Sequence, residues 1–297
     1  MNEIGRKANE TLIAHDSVIT KRVLDRNSVV RFRVLRRPLY YRHVRALLIA
    51  SLVALPAAVS LPFCGDHIDR RPIEDVSSDS VTYQAEDGVH ISASWFLPDG
   101  VANPPVVILL HERGGSRQQW NELIPTLVDK DYAVLAPDLR GHGKSDPYEL
   151  TNSLDALLDV AAALRWLGSR NDVDQSRIAV IGARFGADLA YVSSGAFPQV
   201  RAAIAMTPSV YNAADPLLTA IRGFAAHDVF LMAGGKRQWE EAVTLGVRIR
   251  DPGGRRYIDH PDLDGVALLA LDDAIRDILD WLQKRLVAPS ATAPPPS

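Results

Sequence analysis

The groups able to do chemistry in this 297-residue chain collect in short segments, each directly after an apolar run. His111-Glu112-Arg113-Gly114-Gly115 follows Val106 to Leu110. Asp138-Leu139-Arg140-Gly141-His142-Gly143-Lys144-Ser145 follows Tyr132 to Ala136, and Gly182-Ala183-Arg184-Phe185-Gly186 follows Ile178 to Ile181. Lys236-Arg237, His260, Asp262 and Asp264-Gly265 complete the set. His111, Glu112, Asp138, His142, His260 and Asp262 are of metal-ligating types, but no pair among them has a recognised ligand spacing. Neither a metal site nor another cofactor is expected. Gly182 to Gly186 lacks the extra glycine and the Lys-Ser/Thr ending of a phosphate-binding loop. Arg184, set between spaced glycines, is a permanent cation. It can pair with a carboxylate or phosphate, but it cannot attack a carbonyl.

These segments need elements to hold them. Val81 to Ala85 and Val89 to Phe96 alternate apolar and polar residues around Asp87-Gly88, the pattern of an antiparallel hairpin with a two-residue turn. The continuous apolar runs Val106 to Leu110, Tyr132 to Ala136, Ile178 to Ile181, Ala202 to Met206 and Val229 to Met232 read as strands buried on both faces of a parallel sheet. Between them Leu154, Leu157, Leu158, Ala161, Leu164 and Leu167 recur at helical spacing, with Ser153 as expected cap and Gly168 as stop. A last helix is expected from Leu268 to Leu286. The fold class is therefore α/β: a mostly parallel central sheet with an N-terminal antiparallel hairpin and helices on both faces. Ser209 to His227 is too short for a large cap domain. Ligands of open α/β sheets bind beyond the carboxyl ends of the strands, where the segments above lie.

Charge is unevenly placed. Residues 1–45 hold 11 of the 33 Lys/Arg and 4 of the 36 Asp/Glu, leaving 22 against 32 in an acidic body. That body argues against nucleic acid as a partner. Ala46 to Phe63 is uncharged and follows a basic run from Arg31 to Arg45, so 46–64 is expected as a signal peptide or a membrane anchor, with the membrane as a partner through this segment. Either reading places the body outside the cytoplasm, exported and then anchored or periplasmic. Cys64, the only cysteine, excludes an internal disulfide, and its place at the end of the apolar run resembles that of the lipid-modified cysteine of bacterial lipoproteins. Residues 1–45 are expected as a basic extension that is disordered or precedes the true start. Residues 65–79 are expected as a linker, 80–287 as the folded domain and 288–297 as a disordered Pro/Ala tail.

Together, the segments at His111, Asp138 and Gly182 resemble the α/β-hydrolase superfamily, in particular its small dienelactone-hydrolase-like and serine-aminopeptidase-like members. The resemblance covers about Val81 to Leu286. It implies that Gly182 to Gly186 is the nucleophile elbow, a strained strand-to-helix turn that presents a serine in the family. Here Arg184 stands at that position. By the same resemblance Arg237, in Ala233-Gly-Gly-Lys-Arg237, takes the place of the triad acid, and Asp264, before Gly265, that of the histidine. His260 is the alternative base. The Asp138 to Ser145 turn is implied to be structural, Asp138 tying down loop amides, and the loop from His111 to shape an oxyanion hole from backbone N–H groups.

The triad so read is degenerate and leaves no catalytic residue, the mark of a pseudoenzyme. Arg184, Asp264 and Arg237 are expected to form an ion cluster, with Asp264 between the two guanidinium groups. In one reading the charges plug the old site. In the other, His111, Glu112, Arg113, Arg184, Arg237 and Asp264 line a binding site for an anionic small molecule, helped by the helix N-terminus and opposed by the charge of Glu112. Two alternatives stay open: a working esterase, thioesterase or peptidase using Ser116 or Ser145, and a structural envelope protein.

Overall fold

The computed structural model describes residues 68, 70–208, 226–236, 240, 255–258, 260 and 262–286, and a short antiparallel pairing of Ile13–His15 with Val18–Thr20. The chain divides into two compact units, Met1–Pro62 and Phe63–Ser297. Apart from that pairing, the basic extension 1–45 lies outside the described residues. So do the expected signal or anchor 46–64 with Cys64, Arg237, and the tail 288–297.

Among the described residues of the second unit eight strands form one sheet: β1 (Asp79–Gln84), β2 (His90–Phe96), β3 (Val106–Leu110), β4 (Ala133–Pro137), β5 (Ile178–Ala183), β6 (Val200–Met206), β7 (Val229–Gly234) and β8 (Arg255–Ile258). Their spatial order is β8-β7-β6-β5-β3-β4-β2-β1. The β1–β2 and β2–β4 pairs are antiparallel and the other pairs are parallel. The α/β class, the parallel centre and the N-terminal hairpin are as the sequence predicts. Segment 209–225, where a cap would insert, lies outside the described residues.

The runs are apolar throughout because the central strands are buried on both faces. Val106, Ile108 and Leu110 of β3 join one core with α2 (Leu157–Gly168) and α3 (Phe185–Ala196). Val107 and Leu109 point the other way, into a second core with α1 (Ile124–Asp129) and α4 (Asp272–Leu286). Pleat alternation thus divides one five-residue run between two cores.

Four local expectations are corrected. The hairpin turn is longer than two residues: the Ala85 N–H donates to the Val89 carbonyl, the Gly88 N–H donates to that of Ala85, and Gly88 takes φ 91°. Asn152, not Ser153, caps the second helical segment, its side chain accepting from the Leu154 N–H at 3.2 Å. A 3-10 turn over Ser153–Ala156 then leads into α2. The last helical segment is two pieces, a 3-10 helix Gly265–Ala270 and then α4, because Leu271 is extended. Finally, the described part of the expected linker 65–79, residues 68 and 70–79, packs on the domain. Val76 is buried in the second core with Ile68 and Ile73 against it, and Arg70 bonds the Leu269 carbonyl and the Asp272 carboxylate.

Register sets where the chemistry emerges. Leu110 pairs with Gly182, and Gly182 with Ala205, so β3, β5 and β6 end side by side. The loops that follow, beginning with His111, Arg184 and Thr207, share one rim.

Candidate functional site

Arg184 is a single residue between β5 and α3, with φ 48° and ψ −111°. A β-carbon makes that backbone costly, by about 1–3 kcal/mol, and such strain persists only where the surroundings impose it. They do so here. A Cβ on Gly182 would collide with the Gly186 carbonyl, and one on Gly186 with the Leu110 carbonyl. The Arg184 N–H donates to the Met206 carbonyl at 2.9 Å, and its own carbonyl accepts from the Asp188 N–H at 3.1 Å. Two glycines and two backbone bonds therefore hold a tight strand-to-helix turn that lifts the residue-184 side chain onto the rim.

The guanidinium of Arg184 meets the Asp264 carboxylate in a hydrogen-bonded ion pair, and its Nε lies 3.9 Å from a Glu112 oxygen. Asp264 comes from the loop after β8 and precedes the 3-10 helix at Gly265. The other Glu112 oxygen accepts the Val266 N–H at 2.9 Å, and the Thr207 hydroxyl accepts the Gly265 N–H at 2.9 Å. Glu112 and Thr207 thus bind the Asp264 loop to the rim. The Arg184 side chain is 42% exposed and that of Asp264 27%, so this pair is wet. Arg113 stacks on Phe185, its guanidinium carbon 4.4 Å from the ring centre.

Of the expected binding residues, the structure brings Arg184, Asp264 and Glu112 together and places Arg113 over Phe185, the first residue of α3. Arg237 lies outside the described residues, so the three-member cluster is described only as its Arg184–Asp264 half. His111 is buried, with both ring nitrogens spent: Nε2 accepts the Leu139 N–H at 2.9 Å, and Nδ1 donates to the Glu112 carbonyl at 2.7 Å. Burial pushes its pKa down to about 4. It is a neutral brace under the loop rather than a group facing a ligand. His260 is exposed, and its carbonyl accepts the Leu263 N–H.

Asp138 does tie down the loops. Its carboxylate accepts the backbone N–H groups of Arg117 and Lys144, each at 2.8 Å, and is paired with the Arg117 guanidinium. Burial opposes ionisation, but Arg117 and the two amides outweigh it and hold the carboxyl below the usual carboxylate range. The Ser145 hydroxyl accepts the Ser92 N–H and donates to the Asp138 carbonyl. That of Ser116 donates to the Gln118 side chain. Neither hydroxyl has a described imidazole beside it as base. In the loop after β3, the Glu112 N–H is taken by Gln119 at 3.1 Å and the Gly114 N–H by His142 at 3.0 Å.

Sequence reasoning missed Thr207, Arg117 and Gln119. Thr207 directly follows β6 and so could have been placed on the rim; Arg117 and Gln119 act across loops and leave no local pattern. Among the described residues, no three His, Cys, Asp or Glu side chains are grouped to hold a metal ion.

A family model described as "alpha/beta hydrolase fold" matches residues 105–252, which span β3, β4, the elbow, β6 and β7. The chain belongs to the α/β-hydrolase superfamily. An esterase of Pyrococcus furiosus superposes with a TM-score of 0.62 at 20% identity, over 71% of this chain and 92% of that one. An acetyl xylan esterase from Paenibacillus sp. R4 gives 0.58 at 20% identity, over 74% and 87%. At such identities the likeness is one of fold. An uncharacterised protein of Mycobacterium tuberculosis is 29% identical over 161 residues, 50% of this chain and 57% of its own length. This chain therefore spans a little over half of that relative. Epoxide hydrolase A of the same organism is 41% identical over 80 residues, 23% of this chain and 25% of its own length.

Proposed function

We propose that this α/β-hydrolase-fold protein has given up serine-hydrolase chemistry and works by binding an anionic small molecule at its former catalytic centre. One observation carries the reading: the elbow residue is Arg184, whose guanidinium is held on Asp264 from the loop where the family places its histidine. A guanidinium stays protonated at any working pH, so no acyl-enzyme can form there. It is well suited to a bidentate grip on a carboxylate or phosphate. The pair with Asp264 is partly solvated and worth at most about 1 kcal/mol, so an anion offering two oxygens can take Arg184 from it. The N-terminus of α3 lies beside the guanidinium and adds attraction for negative charge.

Heat denaturation of the full chain with succinate or inorganic phosphate tests this reading, since a ligand of the native state must stabilise it. The wild type shifts upward with at least one of the two, and Arg184→Ala does not. Equal shifts in both proteins, or none in the wild type, defeat it.

Export and anchoring belong to the same proposal. Their support is the basic run Arg31 to Arg45 followed by the uncharged Ala46 to Phe63. Among the described residues no helix is long and apolar enough to cross a membrane, and 46–64 lies outside them. A reporter active only outside the cytoplasm, fused after Ser297, checks it: activity supports export, and an inactive, full-length fusion contradicts it.

A further inference from the structure

The opposite rim of the sheet, where the parallel strands begin, holds a cavity of about 480 Å³ between the starts of β6 and β7 and the end of α4. Among the described residues Arg201, Lys284, Arg285 and His227 line it, with Asp228 as the one carboxylate. Arg201 and Arg285 are anchored: the Arg201 Nε–H donates to the Arg285 carbonyl at 2.8 Å, and Arg285 is bridged to Asp228 at 3.0 Å. Among the described residues, Lys284 and the terminal nitrogens of Arg201 have no partner. Cations in the last turn of a helix offset its dipole, which is reason enough for Lys284 and Arg285. That reasoning does not extend to Arg201, which sits on a strand and spends only its Nε on the helix end.

Among the described lining residues three cations, Arg201, Lys284 and Arg285, stand against one carboxylate, a positive balance that suits an anion. Anchoring two of the cations in advance lowers the entropy lost on gripping it. A second cavity of about 380 Å³ shares Gln199 with the first. Its wall includes Ala161, Leu164 and Phe197, so an apolar surface adjoins the cationic one.

We infer that these two cavities, adjoining at Gln199, form a second ligand site, separate from the Arg184 rim, for a phosphate monoester carrying an apolar group. The phosphate sits among Arg201, Lys284 and Arg285, and the apolar group lies along Phe197 and Leu164. The site is independent of the reading proposed for Arg184.

Isothermal titration of the full chain with phenyl phosphate, inorganic phosphate and phenol tests it. Phenyl phosphate binds the wild type about tenfold or more tighter than either fragment, since each contributes only one of the two contacts. The double variant Arg201→Gln, Lys284→Gln loses about tenfold or more in affinity, while its ligand-free melting temperature falls by only a few degrees, about what one hydrogen bond and one helix-end charge contribute. Arg184→Ala, which lacks the rim site, still binds phenyl phosphate about tenfold or more tighter than inorganic phosphate. Should the double variant fail to fold, Lys284→Gln alone, at an exposed helix position, weakens binding several-fold. The inference is overturned if the wild type does not bind phenyl phosphate, if inorganic phosphate binds Arg184→Ala as tightly as phenyl phosphate does, if the folded variants lose nothing, or if only Arg184→Ala loses affinity.

Discussion

Arg184 and Asp264 stand 80 positions apart in the chain and meet as an ion pair on the C-terminal rim of the sheet. One sits at the tight turn between β5 and α3, which the proposed function reads as the former nucleophile elbow, and the other in the loop after β8. The pair is half in water, so its own contribution to stability is small. Asp264→Asn is expected to lower stability by about 1 kcal/mol or less in urea unfolding. A loss above about 3 kcal/mol would mean a buried, structural ion pair instead.

The elbow itself tolerates far less. Gly186→Ala places a β-carbon against the Leu110 carbonyl, a backbone atom that can yield only by moving β3. It is expected to cost roughly 2–4 kcal/mol, read as a lowered denaturation midpoint. Gly168→Ala, where a β-carbon meets nothing within 4 Å, is the control and should leave the midpoint little changed.

Asp138 and Arg117 form a buried pair, with side chains 1% and 7% exposed. Arg117→Met removes the partner and leaves a carboxylate out of water, so a loss of about 3–5 kcal/mol is expected. Adding Asp138→Asn should recover part of that loss, because the stranded charge goes with it. A double variant no more stable than the single one would show that the loop amides, not the charge, carry the cost.

His111 predicts an acid dependence. Its pKa is pushed down to about 4 in the fold, against about 6.5 unfolded. The unfolded chain therefore takes up the proton first as pH falls. The stability tied to neutral His111 is full above about pH 6.5 and is lost progressively down to about pH 4, by about 3 kcal/mol in all. His111→Gln should be less stable at pH 7.5 but flatter between pH 6.5 and 4. A variant with the same slope as the wild type would place the titrating group elsewhere.

How much of this was legible beforehand follows from the range of the interactions. The run Val106 to Leu110 announced a strand buried on both faces, and the spaced glycines around Arg184, through the family resemblance, announced a tight strand-to-helix turn, because both signals lie within a few residues. The break at Leu271 was hidden, since apolar residues continue across it and only packing decides where the 3-10 turn ends and α4 begins. Asn152 and Ser153 are both good caps, so the reading of Ser153 as the cap had no local signal to correct it. His111 carried the right type for a ligand group, yet its partners Leu139 and Glu112 are backbone atoms that no pattern reveals. Arg70 likewise closes on Asp272 across 202 positions, so its stretch read as a linker until the packing was known.

The central claim is that the elbow presents Arg184 and no activated hydroxyl. Intact-mass measurement of the full chain after exposure to a reactive fluorophosphonate, beside an active serine hydrolase as control, tests it most directly. The account predicts an unchanged mass on folded protein while the control is fully labelled. A stoichiometric adduct would contradict it, and the labelled peptide would name the nucleophile.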